Sequence, residues 1–135
     1  MAKSNASAND VLKMILKGVD PSYRAGANLY LALYTATPGV AGTAITNETS
    51  YTNYARQALV KSSAWTDGGT SFTNAGLIQF PQCGATGATL TYVGIVDTAS
   101  GAGELMYFGS LNSSLAVANL IQPQFAIASL SVQEA

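Results

Sequence analysis

The spacing of hydrophobic residues changes once along the chain, close to residue 25. Before that point, five apolar residues recur at helical spacing and predict a short amphipathic helix over residues 8–17: Val11, Leu12, Met14, Ile15 and Leu16. Ser7 is the expected N-cap, and Gly18 ahead of Asp20-Pro21 is the expected end of the helix. A helix of this length is unstable alone. It therefore forms either a lid on an open end of its own domain or an arm that grips a neighbouring subunit, and we favour the lid.

From residue 28 onward, apolar and polar residues alternate with a period of two, between short segments rich in Gly, Pro, Thr, Ser and Asn. This pattern is typical of an all-β sandwich or barrel. Residues 28–35 carry apolar side chains on both faces, which predicts a central strand covered on both sides. Asp67-Gly68-Gly69 is a turn signal between Trp65 and Phe72. Further strands are predicted at residues 54–60, 76–80, 89–96, 104–111 and 120–132, the last divided near Pro123 or Ala128.

The sequence thus predicts a mainly β protein of seven or eight strands. We expect a jelly-roll-like antiparallel β-sandwich with one short N-terminal α-helix. Residues 1–24 are expected to form an N-terminal arm that contains the helix, and residues 25–135 the sandwich domain. A single core is expected, because 135 residues is the commonest size of one domain.

Charged residues are scarce, with six Lys and Arg and seven Asp and Glu among 135 residues, and no histidine. They make up 10% of the chain, against about 25% in an ordinary soluble domain. Without histidine, Ser-His-Asp and Cys-His catalytic sites are excluded. The basic residues form no run, so we expect no nucleic-acid partner. No apolar stretch approaches the roughly 20 residues of a membrane span, so we expect no membrane partner, and synthesis in the cytosol.

The remaining candidates for chemistry are few. A carboxylate pair could in principle hydrolyse glycosides, but the available acids lie in turn-like contexts where a solvated acid is the default: Glu48, Asp67, Asp97 and Glu104. No Asp-x-Asp spacing points to calcium, and the Gly-bearing residues 84–87 lack the lysine of a phosphate-binding loop. Cys83 is the only cysteine and is expected to be buried. We expect no enzymatic activity, no cofactor and no metal.

Aromatic residues and one arginine are the candidates for binding a partner. Seven tyrosines and Trp65 could form a platform on which sugars stack, although tyrosines within strands are more often core or interface residues. Tyr51, Tyr54 and Trp65 are the first to test. Arg56 is the one charge in the interior of a predicted strand, where its planar fork could clamp a carboxylate or backbone carbonyls, or lie along the surface.

Two sequence blocks carry a family resemblance: LYLALYTATP at residues 29–38 and NYARQA at residues 53–58. Together with later blocks at residues 76–81, 92–97 and 104–111, they resemble a family of small virion proteins of tailed bacteriophages. The resemblance extends over roughly residues 8–132. The resemblance implies a structural virion protein that is made in the host cytoplasm. It also suggests a small jelly roll that decorates the capsid exterior.

The leading functional hypothesis is a capsid decoration or cement protein that binds the major capsid protein and itself, as a dimer or trimer. Scarce charge fits this role, because charged residues are depleted at the cores of interfaces. The partner-binding residues are expected to be Arg56, Tyr54, Tyr51 and Trp65. The alternative is a tail-fibre or baseplate component, or an adhesin that binds glycans on the host surface.

Overall fold

The computed structural model describes residues 1–134, and within them it contains one α-helix and ten short to medium strands. A turn of 3₁₀ helix at Ser22–Arg24 joins the helix to the β domain. No helix in this range is both long and apolar enough to cross a membrane. In chain order the elements are β1 (Ala2–Lys3), α1 (Asn5–Lys17), β2 (Asn28–Tyr34), β3 (Gln57–Val60), β4 (Trp65–Asp67), β5 (Ser71–Asn74), β6 (Ile78–Gln79), β7 (Ala88–Val96), β8 (Leu105–Val117), β9 (Gln124–Phe125) and β10 (Ser131–Gln133).

The largest sheet has five antiparallel strands in the order β1-β8-β7-β2-β3. β2 is an inner strand that pairs with β7 on one side and β3 on the other, so that Leu31 lies opposite both Ile95 and Gln57. The last four residues of β2 are buried. The predicted central strand with two covered faces is therefore confirmed.

Two smaller sheets, β10-β5-β4 and β6-β9, complete the architecture. One core cluster joins residues of the large sheet to residues of both smaller sheets, which makes the fold sandwich-like. Its members include Leu31 and Leu33 of β2, Val93 and Ile95 of β7, Phe80, Leu130, and the half-buried Trp65, Ile78, Phe125 and Val132. The predicted mainly β, antiparallel fold with one N-terminal helix is confirmed, whereas the finer jelly-roll topology is not.

The opposite face of the large sheet has its own smaller core. Tyr34, Val96 and Leu105 are buried there beneath the long connection between β2 and β3. The hydroxyl of Tyr34 donates a 2.9 Å hydrogen bond to the carbonyl oxygen of Ala44, which lies in that connection. Both faces of β2 are apolar because each of them covers a core.

Helix α1 begins earlier than predicted, and its N-cap is Ser4 rather than Ser7. The Ser4 hydroxyl accepts a 3.0 Å hydrogen bond from the Ser7 amide, while Ser7 itself lies buried in the first turn. The Ser4 amide and hydroxyl also donate to carbonyl oxygens of β8, which fixes the start of the helix on the sheet. Gly18 ends the helix with φ of 64°, a conformation that glycine adopts without strain, and this confirms the predicted end.

Several strand bounds differ from the prediction because pairing partners decide them. Residues 54–56 stand outside the sheet, so β3 starts only at Gln57, and the strand predicted at residues 76–80 is reduced to β6. β8 continues through a polar stretch to Val117, which pairs with Ala88 of β7. At that end Gly87 is required, because a Cβ there would lie 1.8 Å from the Val117 oxygen. The final stretch divides into β9 and β10, as predicted, with φ of 61° at Ala128.

Candidate interaction sites

Arg56 is the centre of a buried polar cluster, which we call the Arg56 clamp: Arg56, Glu48, Thr98 and Gly101. The Arg56 side chain is 2% exposed, and its Nε and Nη2 donate to the two carboxylate oxygens of Glu48, both at 2.7 Å. Nη1 donates to the carbonyl and hydroxyl oxygens of Thr98, and Nη2 also donates to the Gly101 oxygen. All five donors of the guanidinium are thus used within the chain. Of the two alternatives that the sequence left open for Arg56, the structure shows the clamp on a carboxylate and carbonyls, and it lies within the chain.

The Arg56 clamp joins two segments that are far apart in sequence, the connection between β2 and β3 and the loop between β7 and β8. Glu48 lies in the connection after β2, Arg56 precedes β3, and Thr98 belongs to the loop between β7 and β8. Hydrogen bonding to Glu48 raises the pKa of Arg56, which keeps the guanidinium charged. A bidentate pair of this kind has fixed geometry, so the clamp is a structural element that holds these loops together.

Tyr54 adds a third donor to the Glu48 carboxylate. Its hydroxyl donates to Glu48 Oε1 at 2.7 Å and accepts a 3.2 Å bond from the Leu33 amide of β2. Burial raises the pKa of Tyr54, so the hydroxyl remains neutral and able to donate. The tyrosine therefore supports the clamp from the side of the large sheet.

Tyr51 packs edge-on against Tyr54, with 5.4 Å between the ring centroids. Its hydroxyl donates a 2.7 Å bond to the Pro81 oxygen, and burial raises the pKa of Tyr51 to about 12. The residue is 2% exposed, so its ring offers solvent almost no face on which a sugar could stack. Tyr51, Tyr54 and Arg56 border one cleft of about 390 Å³. The structure thus brings three of the four predicted partner-binding residues together.

Trp65 lies elsewhere, in a cleft of about 480 Å³ between the large sheet and the three-stranded sheet, which we call the sheet cleft. Trp65 of β4, Phe72 of β5 and Val132 of β10 line one side. Leu29, Ile95 and Tyr107 of the large sheet line the other. The lining is mainly apolar, and Phe72 is 39% exposed, so this cleft offers more accessible apolar surface than the site around Tyr51. The binding roles predicted for Arg56, Tyr54, Tyr51 and Trp65 stay predictions.

The four acids considered as catalytic candidates lie in different surroundings. Glu48 belongs to the Arg56 clamp, and Asp67 accepts a hydrogen bond from the Gly69 amide in the β4–β5 turn, which confirms the predicted turn. Asp97 accepts a 2.7 Å bond from the Glu104 amide. Glu104 faces Asp10 of α1, and burial together with the Asp10 carboxyl raises the pKa of Glu104 to about 7. Asp10 was not among the sequence candidates.

Helix α1 has two apolar faces, one toward its own domain and one toward solvent, which the hydrophobic spacing alone did not distinguish. Val11 and Met14 are half-buried above a cavity of about 340 Å³ next to β8. An outward row is left uncovered by residues 1–134, and we call it the outer stripe: Leu12, Ile15, Leu16 and Val19, exposed by 56%, 69%, 74% and 51%. The helix packs on its own domain, as a lid would, and at the same time exposes apolar surface, as an arm would. The sequence signal that could have revealed the outer stripe is the presence of apolar residues on two sides of the helix.

The comparison with known families covers almost the entire chain. Residues 2–133 match the model of a family described as "Podophage GP4 fiber I protein gp80". No curated protein matches the chain. The match includes the strands of the β domain, the Arg56 clamp, helix α1 and the lining of the sheet cleft except Glu134, and it agrees with the resemblance found in the sequence blocks. The chain therefore belongs to the family of the podophage GP4 fiber I protein gp80, a family of structural proteins of the phage virion.

Proposed function

We propose that this chain is a non-enzymatic structural subunit of a virion fibre, which binds other copies of itself and a further virion protein. The observation that carries the proposal is the match of residues 2–133 to a family described by a fibre protein. Because the match runs through every strand of the described fold, the proposal concerns the whole β domain and not one motif.

The surface of the domain supports a role in assembly. Only 10% of the residues are charged, and large apolar side chains are exposed on α1, on β5 and in the loop before β6, among them Leu16, Phe72 and Leu77. Contiguous apolar surface on a soluble domain is typical of an interaction site. Interface cores are depleted in charge. The composition is therefore suited to a subunit whose exterior becomes covered on assembly.

A second candidate function is decoration of the capsid exterior through binding to the major capsid protein. The specific observation in its favour is the same charge-poor exterior over a compact β domain. A decoration protein that binds only the assembled shell stabilises that shell by linkage. The two candidates predict different positions and copy numbers in one particle.

The test combines quantitative mass spectrometry of purified particles with gold-labelled antibodies against the chain. A fibre subunit is expected at the tail end in few copies. A decoration protein is expected over the shell in on the order of hundreds of copies, because a shell of repeated subunits offers a site at every repeat. Label over the shell at high copy number would replace the fibre proposal by the decoration role. Absence of the chain from purified particles would overturn both.

A further inference from the structure

The outer stripe of α1 has the geometry of a helix face that is made to be covered. Leu12, Ile15 and Leu16 follow the spacing i, i+3 and i+4, so they lie in one row along the helix, and the exposed Val19 follows directly after Gly18 at its end. The helix is held to the domain at its start, where the Ser4 hydroxyl caps it. The stripe is therefore a fixed surface.

The charge beside the outer stripe is basic. Lys13 and Lys17 are exposed on the same helix and follow the stripe along one edge. The acid of α1, Asp10, faces Glu104 and Tyr23 on the inner side of the helix and does not offset them. A partner surface that suits the stripe is thus apolar with an acidic border.

The same chain carries such a surface in the sheet cleft. Its volume of about 480 Å³ lies within the range of about 300–1,000 Å³ found for binding pockets. The wall formed by Trp65 and Phe72 is aromatic. Glu134 also lines the cleft, but its carboxylate is paired with Lys3 and accepts a hydrogen bond from the Tyr107 hydroxyl. Asp67, whose carboxylate bonds to the Gly69 amide at the border of the cleft, is exposed and has no cationic partner among residues 1–134. The carboxylate of Asp67 therefore gives this border a negative charge that is opposite in sign to the lysines beside the stripe.

We propose that the outer stripe of one copy occupies the sheet cleft of a second copy of this chain. The two surfaces are complementary in charge, since lysines flank the stripe and Asp67 borders the cleft. A stripe-to-stripe pair would instead place the lysines of both copies around one seam without an acid to offset them. The inference rests on the proposed function only in naming the partner, and it is tested on the isolated protein.

Contacts between two different surfaces are heterologous, and they build rings or open filaments. Each bound copy still presents one free stripe or one free cleft, so the association continues beyond the dimer. A ring or a filament of many copies then needs only this one repeating contact.

The closing experiment measures self-association of the full chain by analytical ultracentrifugation, with Leu16→Asp in the stripe and Phe72→Asp in the cleft. Each variant is expected to weaken self-association at least tenfold, because it places a carboxylate in an apolar contact. Both side chains are exposed, so the urea midpoints are expected to stay close to wild type. Leu77→Asp, at an exposed apolar residue outside both surfaces, is the matched control and is expected to leave self-association unchanged.

Mixing the two variants distinguishes the proposal from symmetric pairing. Leu16→Asp retains an intact cleft and Phe72→Asp an intact stripe, so an equimolar mixture is expected to form a one-to-one complex with wild-type affinity and nothing larger. Normal self-association of Phe72→Asp alone would overturn the proposal in favour of stripe-to-stripe pairing. A wild-type chain that stays monomeric up to millimolar concentration would also overturn it. Neither result would alter the fibre or decoration assignment, which is tested on particles.

Discussion

Replacing Arg56 by methionine is the most demanding test of the fold, because this side chain joins the β2–β3 connection to the distant loop between β7 and β8. The substitution keeps the apolar stem and removes all five donors of the guanidinium. The Glu48 carboxylate, 13% exposed, then keeps only the Tyr54 hydroxyl of its three donors. The carbonyl oxygens of Thr98 and Gly101 lose their donors as well.

Removing one partner of a buried ion pair typically costs about 3–5 kcal/mol, because the remaining charge is left without compensation. That is a large part of the roughly 5–15 kcal/mol by which a domain is stable. With a urea dependence of about 2 kcal/mol per molar, the unfolding midpoint of Arg56→Met is expected to fall by roughly 2 M. Urea titration followed by tryptophan fluorescence measures this through Trp65.

Two control variants make this prediction specific. Arg24→Met breaks the exposed pair with Asp20, in which both side chains are more than half exposed, and is expected to cost less than about 1 kcal/mol. Adding Glu48→Gln to Arg56→Met removes the orphaned charge, so the double variant is expected to be more stable than Arg56→Met alone. A loss below about 1 kcal/mol for Arg56→Met, or a double variant less stable than the single one, would refute the reasoning.

Three further predictions concern the helix and the tight backbone contact. Burial and the Asp10 carboxyl raise the pKa of Glu104 to about 7, against 4.5 for an ordinary glutamate, so the folded chain binds more protons than the unfolded chain between these values. The free energy of unfolding is therefore expected to fall as the pH rises from about 4.5 to about 7. Glu104→Gln is expected to flatten that interval in urea titrations at each pH, and an unchanged curve would contradict the assignment. Ser4→Ala removes the N-cap of α1 and is expected to cost about 1–2 kcal/mol with a smaller helical circular dichroism signal, whereas an unchanged signal would show that the cap is dispensable. Gly87→Ala places a Cβ 1.8 Å from a carbonyl oxygen of β8 and is expected to lower the melting temperature by several degrees, while Gly76→Ala, with no atom within 4 Å, is expected to leave it nearly unchanged; equal effects of the two would argue against the close approach.

The parts of the fold that could be predicted from the sequence depend on neighbouring residues. Alternation with apolar side chains on both faces located β2 as a covered strand, and Asp67-Gly68-Gly69 located the β4–β5 turn. Gly18 marked the end of α1, because a left-handed residue at that position favours glycine. Each of these features is set within a few residues, so periodicity and turn chemistry were sufficient.

Prediction was less successful where a distant partner decides the outcome. Residues 112–117 fall outside the predicted strands, yet β8 extends through them because the start of β7 pairs with residues 115–117. Ser7 looked like the N-cap, but packing of the helix start on β8 moved the cap to Ser4. In both cases a tertiary contact outweighed a local preference.

The sequence by itself determined the β class, the single N-terminal helix, the scarcity of charge and the family. Only the tertiary structure decided that the guanidinium of Arg56 donates hydrogen bonds to Glu48, Thr98 and Gly101. It also decided that Trp65 lies in a different cleft from Tyr51. It also decided which side of α1 is covered. The physical reason is that composition and periodicity are properties of neighbouring residues, whereas hydrogen-bond partners and exposure depend on which distant segments meet when the core forms.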